Sequence, residues 1–110
     1  MHKRTKACNF PAKTVKKIRE RDGGCIFCQK LYYMPPEPQY IYDIMHIVNR
    51  SQGGLGIEEN GVCGCRYHHS LLDNGNKGIR QKMLEIIEDY MKSLYPGWDR
   101  ENLIYKKWNF

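Results

Sequence analysis

The stretch GVCGCRYHHSLLDNG (residues 61–75) holds two cysteines, two adjacent histidines and an aspartate. Cysteine thiolates and histidine nitrogens are the ligands that zinc prefers in tetrahedral structural sites. These side chains either all serve one metal or divide between a structural metal and a second, reactive one. A single structural zinc would indicate a binding module, whereas a second, open metal position beside a histidine would indicate a hydrolytic enzyme.

The segment CIFC, earlier in the chain, holds a second pair of candidate zinc ligands. Cys25 and Cys28 have the C-x-x-C spacing that allows one tight turn to direct both sulfurs at one zinc ion. Cys65 and His68 repeat this spacing, while Cys63 and Cys65 form a tighter, less usual pair. The spacing favours a Cys3His site made of Cys25, Cys28, Cys65 and His68. The alternative is that the thiols are only small buried hydrophobic groups.

The size and composition of the chain are consistent with a metal-stabilised domain. The 110 residues, 41% of them hydrophobic, predict a single domain spanning residues 1–110 with a modest core. The five cysteines are an odd number, and closely spaced pairs in a reducing compartment favour metal thiolates over disulfides. Because we find neither a long apolar run nor a signal-peptide pattern, we expect a cytoplasmic protein with no membrane partner.

The charge of the chain is unevenly distributed. Eighteen Lys and Arg residues against twelve Asp and Glu residues give a net charge of +6. The excess is concentrated in the N-terminal fifth, which suits a polyanionic partner such as nucleic acid. The alternative is that this basic segment is only a solvated helix face.

Local patterns predict an α+β domain. Residues 11–21 predict a short basic helix, because Val15 and Ile18 share one face and glycines follow it. Residues 40–48 predict a strand that is rich in aromatic and β-branched side chains. A short helix is expected from about His68, and residues 79–94 predict a long amphipathic helix with an apolar stripe.

The Cys3His assignment leaves several polar side chains unused. His69 and Asp73 are four residues apart, so on a helix they project from the same face and can share a second cation. His46 on the predicted strand and Asn60 before the cysteines complete an ordered series of His, Asn and His. Taken singly, each of these residues is more typical of a structural histidine or a turn than of a functional site.

Taken together, these residues resemble the HNH endonucleases. The resemblance rests on C25-I-F-C28, on H46-I-V-N-R-S-Q-G-G and on N60-G-V-C-G-C65-R-Y-H68-H69-S-L-L-D73-N-G, and it looks most like the small HNH proteins of phages and prophages. It implies a small ββα-metal (His-Me finger) core over about residues 40–75 with a structural zinc site. A basic N-terminal helix and a long C-terminal helix would flank this core.

The resemblance also implies roles for individual residues. His46 would be the general base that activates water, and Asn60 would tether the loop joining the two strands. His69 would bind a catalytic Mg2+, Mn2+, Ni2+ or Zn2+ ion, with Asp73 as a further ligand. The implied activity is hydrolysis of DNA phosphodiester bonds by nicking or double-strand cleavage, in phage DNA packaging or processing.

Two departures from the family pattern bear on this interpretation. Many members carry Asp or His directly before the first histidine, where this chain has Met45, whose thioether is a poor ligand for a hard cation. Asp43 is the alternative ligand that could compensate for Met45, although in a regular strand it would face away from His46. His68 replaces the fourth cysteine that is usual in the family, an exchange that zinc tolerates.

The expected partners are DNA and phage terminase proteins, and the protein is expected to be a monomer or a dimer. The residues expected to contact phosphate are Lys16, Lys17, Arg19, Arg21, Arg50 and Arg66. The alternative function is a catalytically inactive zinc-binding module that binds nucleic acid or protein, which Met45 favours.

Overall fold

The computed structural model describes residues 3–74 and 78–106, with side chains from residue 6 onwards. The fold is α+β, with a two-stranded antiparallel sheet and five α-helices in the described residues. The elements, in chain order, are α1 (Lys3–Cys8), α2 (Ala12–Asp22), α3 (Ile26–Gln29), β1 (Tyr42–His46), β2 (Gly61–Cys65), α4 (Arg66–Asn74) and α5 (Ile79–Leu94). Short 3-10 helices occur at Arg50–Gln52, Glu58–Asn60 and Arg100–Leu103.

The sheet and the helix that follows it form the centre of the fold. β1 pairs with β2 so that Tyr42 lies opposite Cys65 and His46 lies opposite Gly61. α4 begins directly after β2 and contacts both strands. β1 is shorter at both ends than the strand predicted for residues 40–48. Residue 75, at which the predicted ββα-metal core ends, lies outside the described residues.

The helix α2 agrees with the prediction to within one residue at each end. Pro11 has the extended conformation of an N-cap, and Gly23 ends the helix with a φ of 67° while its N–H donates to the Arg19 carbonyl. This left-handed conformation is one that glycine adopts without a steric penalty. Ile18 is fully buried and packs towards Gly61 of β2.

The long helix α5 has the same bounds as the prediction. It packs on α4 with a buried stripe of Met83, Ile87 and Met91, as its apolar periodicity indicates. The remaining fully buried side chains of this core include Phe27, Ile47, Val62 and Leu72. Within residues 3–74 and 78–106, no helix combines the length and the apolar character needed to cross a membrane.

One amide side chain joins several points of the long connection between the strands, residues 47–60. The Asn60 Oδ1 atom accepts a hydrogen bond from the Val48 N–H at 2.8 Å. Its Nδ2 group donates to the carbonyls of Leu55 at 2.7 Å and Val48 at 3.2 Å. Asn60 is fully buried, so each of these bonds replaces one that water would otherwise make. The side chain therefore fixes the path of the loop that follows His46.

A second buried polar group joins three elements. The Asp22 carboxylate accepts hydrogen bonds from the Arg21 guanidinium, from the Tyr90 hydroxyl at 2.6 Å and from the Cys63 N–H at 2.8 Å. These donors lie on α2, α5 and β2. Burial, followed by the bond to Asp22, raises the pKa of Tyr90 to about 12, so the hydroxyl remains a donor at neutral pH. The shared carboxylate therefore fixes α2 and α5 against the sheet.

Replacing Tyr90 by Phe removes one donor from this buried carboxylate without a large change in volume. We expect the free energy of unfolding to fall by about 1 to 3 kcal/mol, because the Asp22 oxygen loses a hydrogen bond that water cannot replace. Urea unfolding followed by circular dichroism measures this change. Tyr40→Phe is the matched control because Tyr40 is 83% exposed. Equal stability of the two variants would contradict the role given to Asp22.

Candidate metal centre and the adjacent cleft

Four predicted ligand atoms converge in the structure. The ligand atoms of Cys25, Cys28, Cys65 and His68 all lie within 4.8 Å of one another. The His68 Nδ1 atom is 3.4, 3.5 and 3.1 Å from the three sulfurs in that order, and the sulfurs of Cys28 and Cys65 are 3.8 Å apart. A zinc tetrahedron with Zn–S bonds of about 2.3 Å has edges of roughly 3.5 to 3.8 Å. These residues can therefore hold a zinc ion, as the spacing predicts.

The two halves of this cluster are built in the same way. In each half, the first sulfur accepts a hydrogen bond from the backbone N–H three residues later, at 3.4 Å in both cases. Cys25 caps the short helix α3, whereas Cys65 ends β2 and His68 lies in the first turn of α4. The cluster therefore joins the segment before the sheet to the junction of the sheet and its helix.

A backbone carbonyl orients His68. The Nε2 atom lies 2.7 Å from the Tyr32 carbonyl, which can only accept, so Nε2 carries the proton and Nδ1 presents its lone pair to the sulfurs. The residues on either side, Leu31 and Tyr33, have φ values of 55° and 43°. Such conformations cost on the order of 1 kcal/mol each for residues other than glycine. This strained turn directs the carbonyl at His68.

The thiols of this cluster favour a bound cation. Burial, followed by the neighbouring Cys25 thiol, raises the pKa of Cys28 to about 12. Burial also raises the pKa of Cys65. Without a metal, the Cys28 and Cys65 thiols would therefore be protonated at neutral pH. A dication reverses this preference, because it stabilises the thiolates directly, and its binding releases protons.

Cys65→Ala should abolish stoichiometric zinc binding and destabilise the domain, because it removes one ligand of four. Cys63→Ala is a matched control, since Cys63 is equally buried, lies two residues away and is outside the cluster. Metal analysis of the purified proteins and thermal unfolding provide the measurements. One zinc per chain in Cys65→Ala, or loss of zinc in Cys63→Ala alone, would contradict this ligand set.

Beside the cluster, a surface cleft of about 420 Å³ brings together four other predicted site residues, His46, Arg50, His69 and Asp73. Its lining consists of Ile44, Met45, His46, Asn49, Arg50, Ser51, His69 and Asp73. His46 ends β1, and His69 and Asp73 lie on α4. Asn60 is placed differently, because it is buried behind the cleft, where it holds the loop that carries Asn49 and Arg50.

Contacts from the N-terminal segment hold His46. Its Nε2 atom lies 2.9 Å from the Cys8 carbonyl, so Nε2 carries the proton and Nδ1 is the unprotonated nitrogen of the neutral ring. The Phe10 ring packs against the imidazole with a centroid distance of 4.2 Å. Burial lowers the pKa of His46 below its ordinary value, the Cys8 bond opposes this, and the charge of Arg50 lowers it further. The ring is therefore largely neutral at pH 7.

His69 lies between two carboxylates. Its Nδ1 atom is 3.0 Å from Asp43 Oδ2 and its Nε2 atom is 3.3 Å from Asp73 Oδ2. The contact with Asp73 agrees with the prediction that these two residues, four positions apart, share one face of α4. The contact of Asp43 with His69 occurs although strand alternation directs this carboxylate away from His46. It arises because α4 starts directly after Cys65, which is opposite Tyr42, and so its first turn passes close to Asp43.

Met45 lies on β1 directly before His46. Its side chain is 1% exposed, and a Cβ on Gly64 would meet the Met45 Cε atom at 2.5 Å. The thioether is therefore packed over β2. In the described part of the chain, the only group of three or more His, Cys, Asp or Glu ligands close enough to hold a metal is the Cys3His cluster.

The predicted basic residues differ in their surroundings. Arg21 differs most from the expectation, because its guanidinium bonds Asp22, the carbonyls of Glu58 and Gly61 and the Tyr95 hydroxyl, with a side chain only 13% exposed. These buried bonds use the donors that a phosphate contact would need, so Arg21 has a structural role.

The other five residues predicted to contact phosphate are exposed. Lys16 and Lys17 form long ion pairs with glutamates, Arg19 donates to the Tyr42 carbonyl, and Arg66 pairs with Asp43 at 3.6 Å. Exposed pairs of this kind contribute little to stability, so they can exchange for phosphate contacts. Arg50 is exposed and lines the cleft beside His46.

Three contacts were not predicted from the sequence: that of Asp43, considered only as a metal ligand, with His69, and those of Cys8 and Phe10 with His46. A carboxylate three residues before His46 was a usable signal for Asp43, whereas a backbone carbonyl leaves no signal in a sequence.

Comparisons with known protein families, with curated proteins and with solved structures find no match to this chain.

Proposed function

We propose that this chain is a metal-dependent endonuclease of the HNH type that hydrolyses DNA phosphodiester bonds, with a ββα-metal core formed by β1, β2 and α4. One observation carries the proposal: the imidazoles of His46 and His69, the Asp73 carboxylate and the Arg50 guanidinium all line one cleft. A base, a pair of cation ligands and a positive charge are the groups that hydrolysis of a phosphodiester requires.

His46 is the general base of this proposal. Its Nε2 proton is held by the Cys8 carbonyl, so Nδ1 is the nitrogen that can take a proton from water. A pKa below the ordinary value keeps this nitrogen unprotonated at neutral pH. The group is therefore ready to accept a proton without first losing one.

His69 and Asp73 are the proposed ligands of the catalytic cation. A histidine that binds a metal offers one ring nitrogen as a lone pair and donates only from the other, so only one of the two carboxylate contacts remains a hydrogen bond. The shorter contact, from Nδ1 to Asp43, is the better hydrogen bond, and it leaves the Nε2 lone pair facing Asp73. A nitrogen lone pair beside a carboxylate oxygen suits Mg2+, Mn2+, Ni2+ or Zn2+. When bound, the cation would clamp the phosphate and stabilise charge on the leaving oxygen.

Exposed basic side chains supply the remaining DNA contacts. Arg50 is placed to meet the phosphate that is being cleaved, and Lys16, Lys17, Arg19 and Arg66 are available for neighbouring phosphates. The net charge of +6 supports attraction to a polyanion. A role in phage DNA packaging with terminase proteins rests on the resemblance of the sequence.

Purified wild-type protein should convert supercoiled plasmid to open-circle or linear DNA with Mg2+, Mn2+ or Ni2+. His46→Ala should lower the rate by at least about a hundredfold, because the water loses its general base. Circular dichroism and zinc content should be unchanged, since His46 is not a ligand of the Cys3His cluster.

Tyr40→Ala, at an exposed position outside the cleft, is the control for this experiment. It should cleave at the wild-type rate. Equal inactivity of wild type and His46→Ala across all three metals would refute the nuclease proposal.

A second candidate function is a zinc-stabilised module that binds nucleic acid or protein without cleaving DNA. The observation that favours it is the packed thioether of Met45, which supplies no hard ligand to the cleft. Such a module would hold one tightly bound zinc per chain and no second divalent cation.

Asp43→Ala should weaken binding of Mn2+ to the zinc-loaded protein by about tenfold to a hundredfold, because loss of the Nδ1 acceptor frees the His69 ring. Isothermal titration calorimetry measures this affinity. Arg66→Ala is the matched control, since it removes the ion pair with Asp43 but leaves the contact with His69. Equal Mn2+ affinity of Asp43→Ala and wild type would exclude an orienting role for this carboxylate.

A further inference from the structure

The segment formed by residues 7–10 comprises the last two residues of α1 and the start of the connection to α2, and it packs against the loop that follows β1. Its Ala7 carbonyl accepts a hydrogen bond from the Gly56 N–H at 2.9 Å. Its Cys8 carbonyl accepts from His46 Nε2 at the same distance, across 38 positions of sequence. The segment is therefore attached to the strand connection and to the proposed base by separate backbone groups.

Two glycines make room for this close approach. A Cβ on Gly56 would collide with the Asn9 carbonyl, and it would lie 2.8 Å from the Phe10 nitrogen. A Cβ on Gly61 would lie 2.9 Å from the Phe10 ring. The backbone of segment 7–10 is therefore seated against Gly56, where a side chain has no room, and the Phe10 ring packs against Gly61.

The two contacts with His46 restrain different properties of its ring. The Cys8 carbonyl can only accept, so it selects the tautomer with the proton on Nε2. The Phe10 ring packs on the imidazole at 4.2 Å with an angle of 37° between the planes, and this restrains the side-chain rotation. Neither group belongs to the hairpin or to α4, and neither lines the cleft.

We propose that segment 7–10 is a positioning element for His46, in which the Cys8 carbonyl fixes the tautomer and Phe10 fixes the ring plane. This inference rests on the proposed function for its catalytic consequence. A misplaced base loses most of its effect, since shifts of about 1 Å can lower a rate by roughly a hundredfold. The general base of this chain is therefore completed from outside the proposed ββα-metal core.

The first test reads the His46 tautomer directly, by ring nitrogen-15 chemical shifts in the zinc-loaded, full-length protein. Wild type should show a single neutral tautomer with the proton on Nε2. A proton on Nδ1, or an equal mixture of both tautomers, would overturn the proposal without any variant.

The second test uses Gly56→Ala and Phe10→Ala, which disturb the segment and leave His46 in place. Both should keep one zinc per chain and an unchanged KM for plasmid, with kcat lowered about tenfold or more. Gly56→Ala should also give mixed His46 tautomers, because the Cys8 carbonyl moves away. Phe10→Leu, which keeps bulk beside the imidazole, should recover part of kcat.

Gly97→Ala is the control for backbone strain without a collision, because its φ of 79° strains an alanine while its Cβ would meet nothing within 4 Å. It should keep the wild-type tautomer and kcat. Unchanged His46 shifts and kcat in both Gly56→Ala and Phe10→Ala would refute the positioning role. If wild type cleaves no DNA, the proposed function fails, while the tautomer measurements still decide whether segment 7–10 orients His46.

Discussion

The cluster of Cys25, Cys28, Cys65 and His68 is the constraint on which the rest of the structure depends. It joins a one-turn helix before the sheet to the point where β2 becomes α4. Fixing His68 in this cluster fixes the rotation of α4 about its own axis. His69 is then displaced by about 100° around the helix and is directed to the cleft. The adjacent histidines therefore point to different sites.

The same physical device orients two of the histidines. A backbone carbonyl accepts the Nε2 proton of His68 and another accepts that of His46, so in each ring Nδ1 is the nitrogen with a free lone pair. In His68 this lone pair faces three sulfurs, and in the proposed function that of His46 accepts a proton from water. His69 instead uses the Asp43 side chain, which leaves Nε2 beside Asp73. Ring orientation is thus set by groups that do not themselves line the cleft.

Much of the fold could be predicted from local patterns. The bounds of α5 match the prediction from its apolar stripe. Those of α2 lie within one residue of the prediction, because Gly23 ends the helix as expected. β1 is shorter than the strand predicted for residues 40–48, since only residues 42–46 pair with β2. Arg21 shows where composition misleads: it lies in a basic run, yet its donors are bound to Asp22 and to the carbonyls of Glu58 and Gly61.

The sequence alone determined the Cys3His ligand set, because each half of the cluster is defined by a spacing within a few residues. It also determined that His69 and Asp73 share a helix face, since helical periodicity is local. Only the tertiary structure decided that Asp43 contacts His69, that Arg21 is buried, and that Cys8 and Phe10 hold His46. These contacts join residues distant in sequence, and a backbone carbonyl has no identity that a sequence pattern can record.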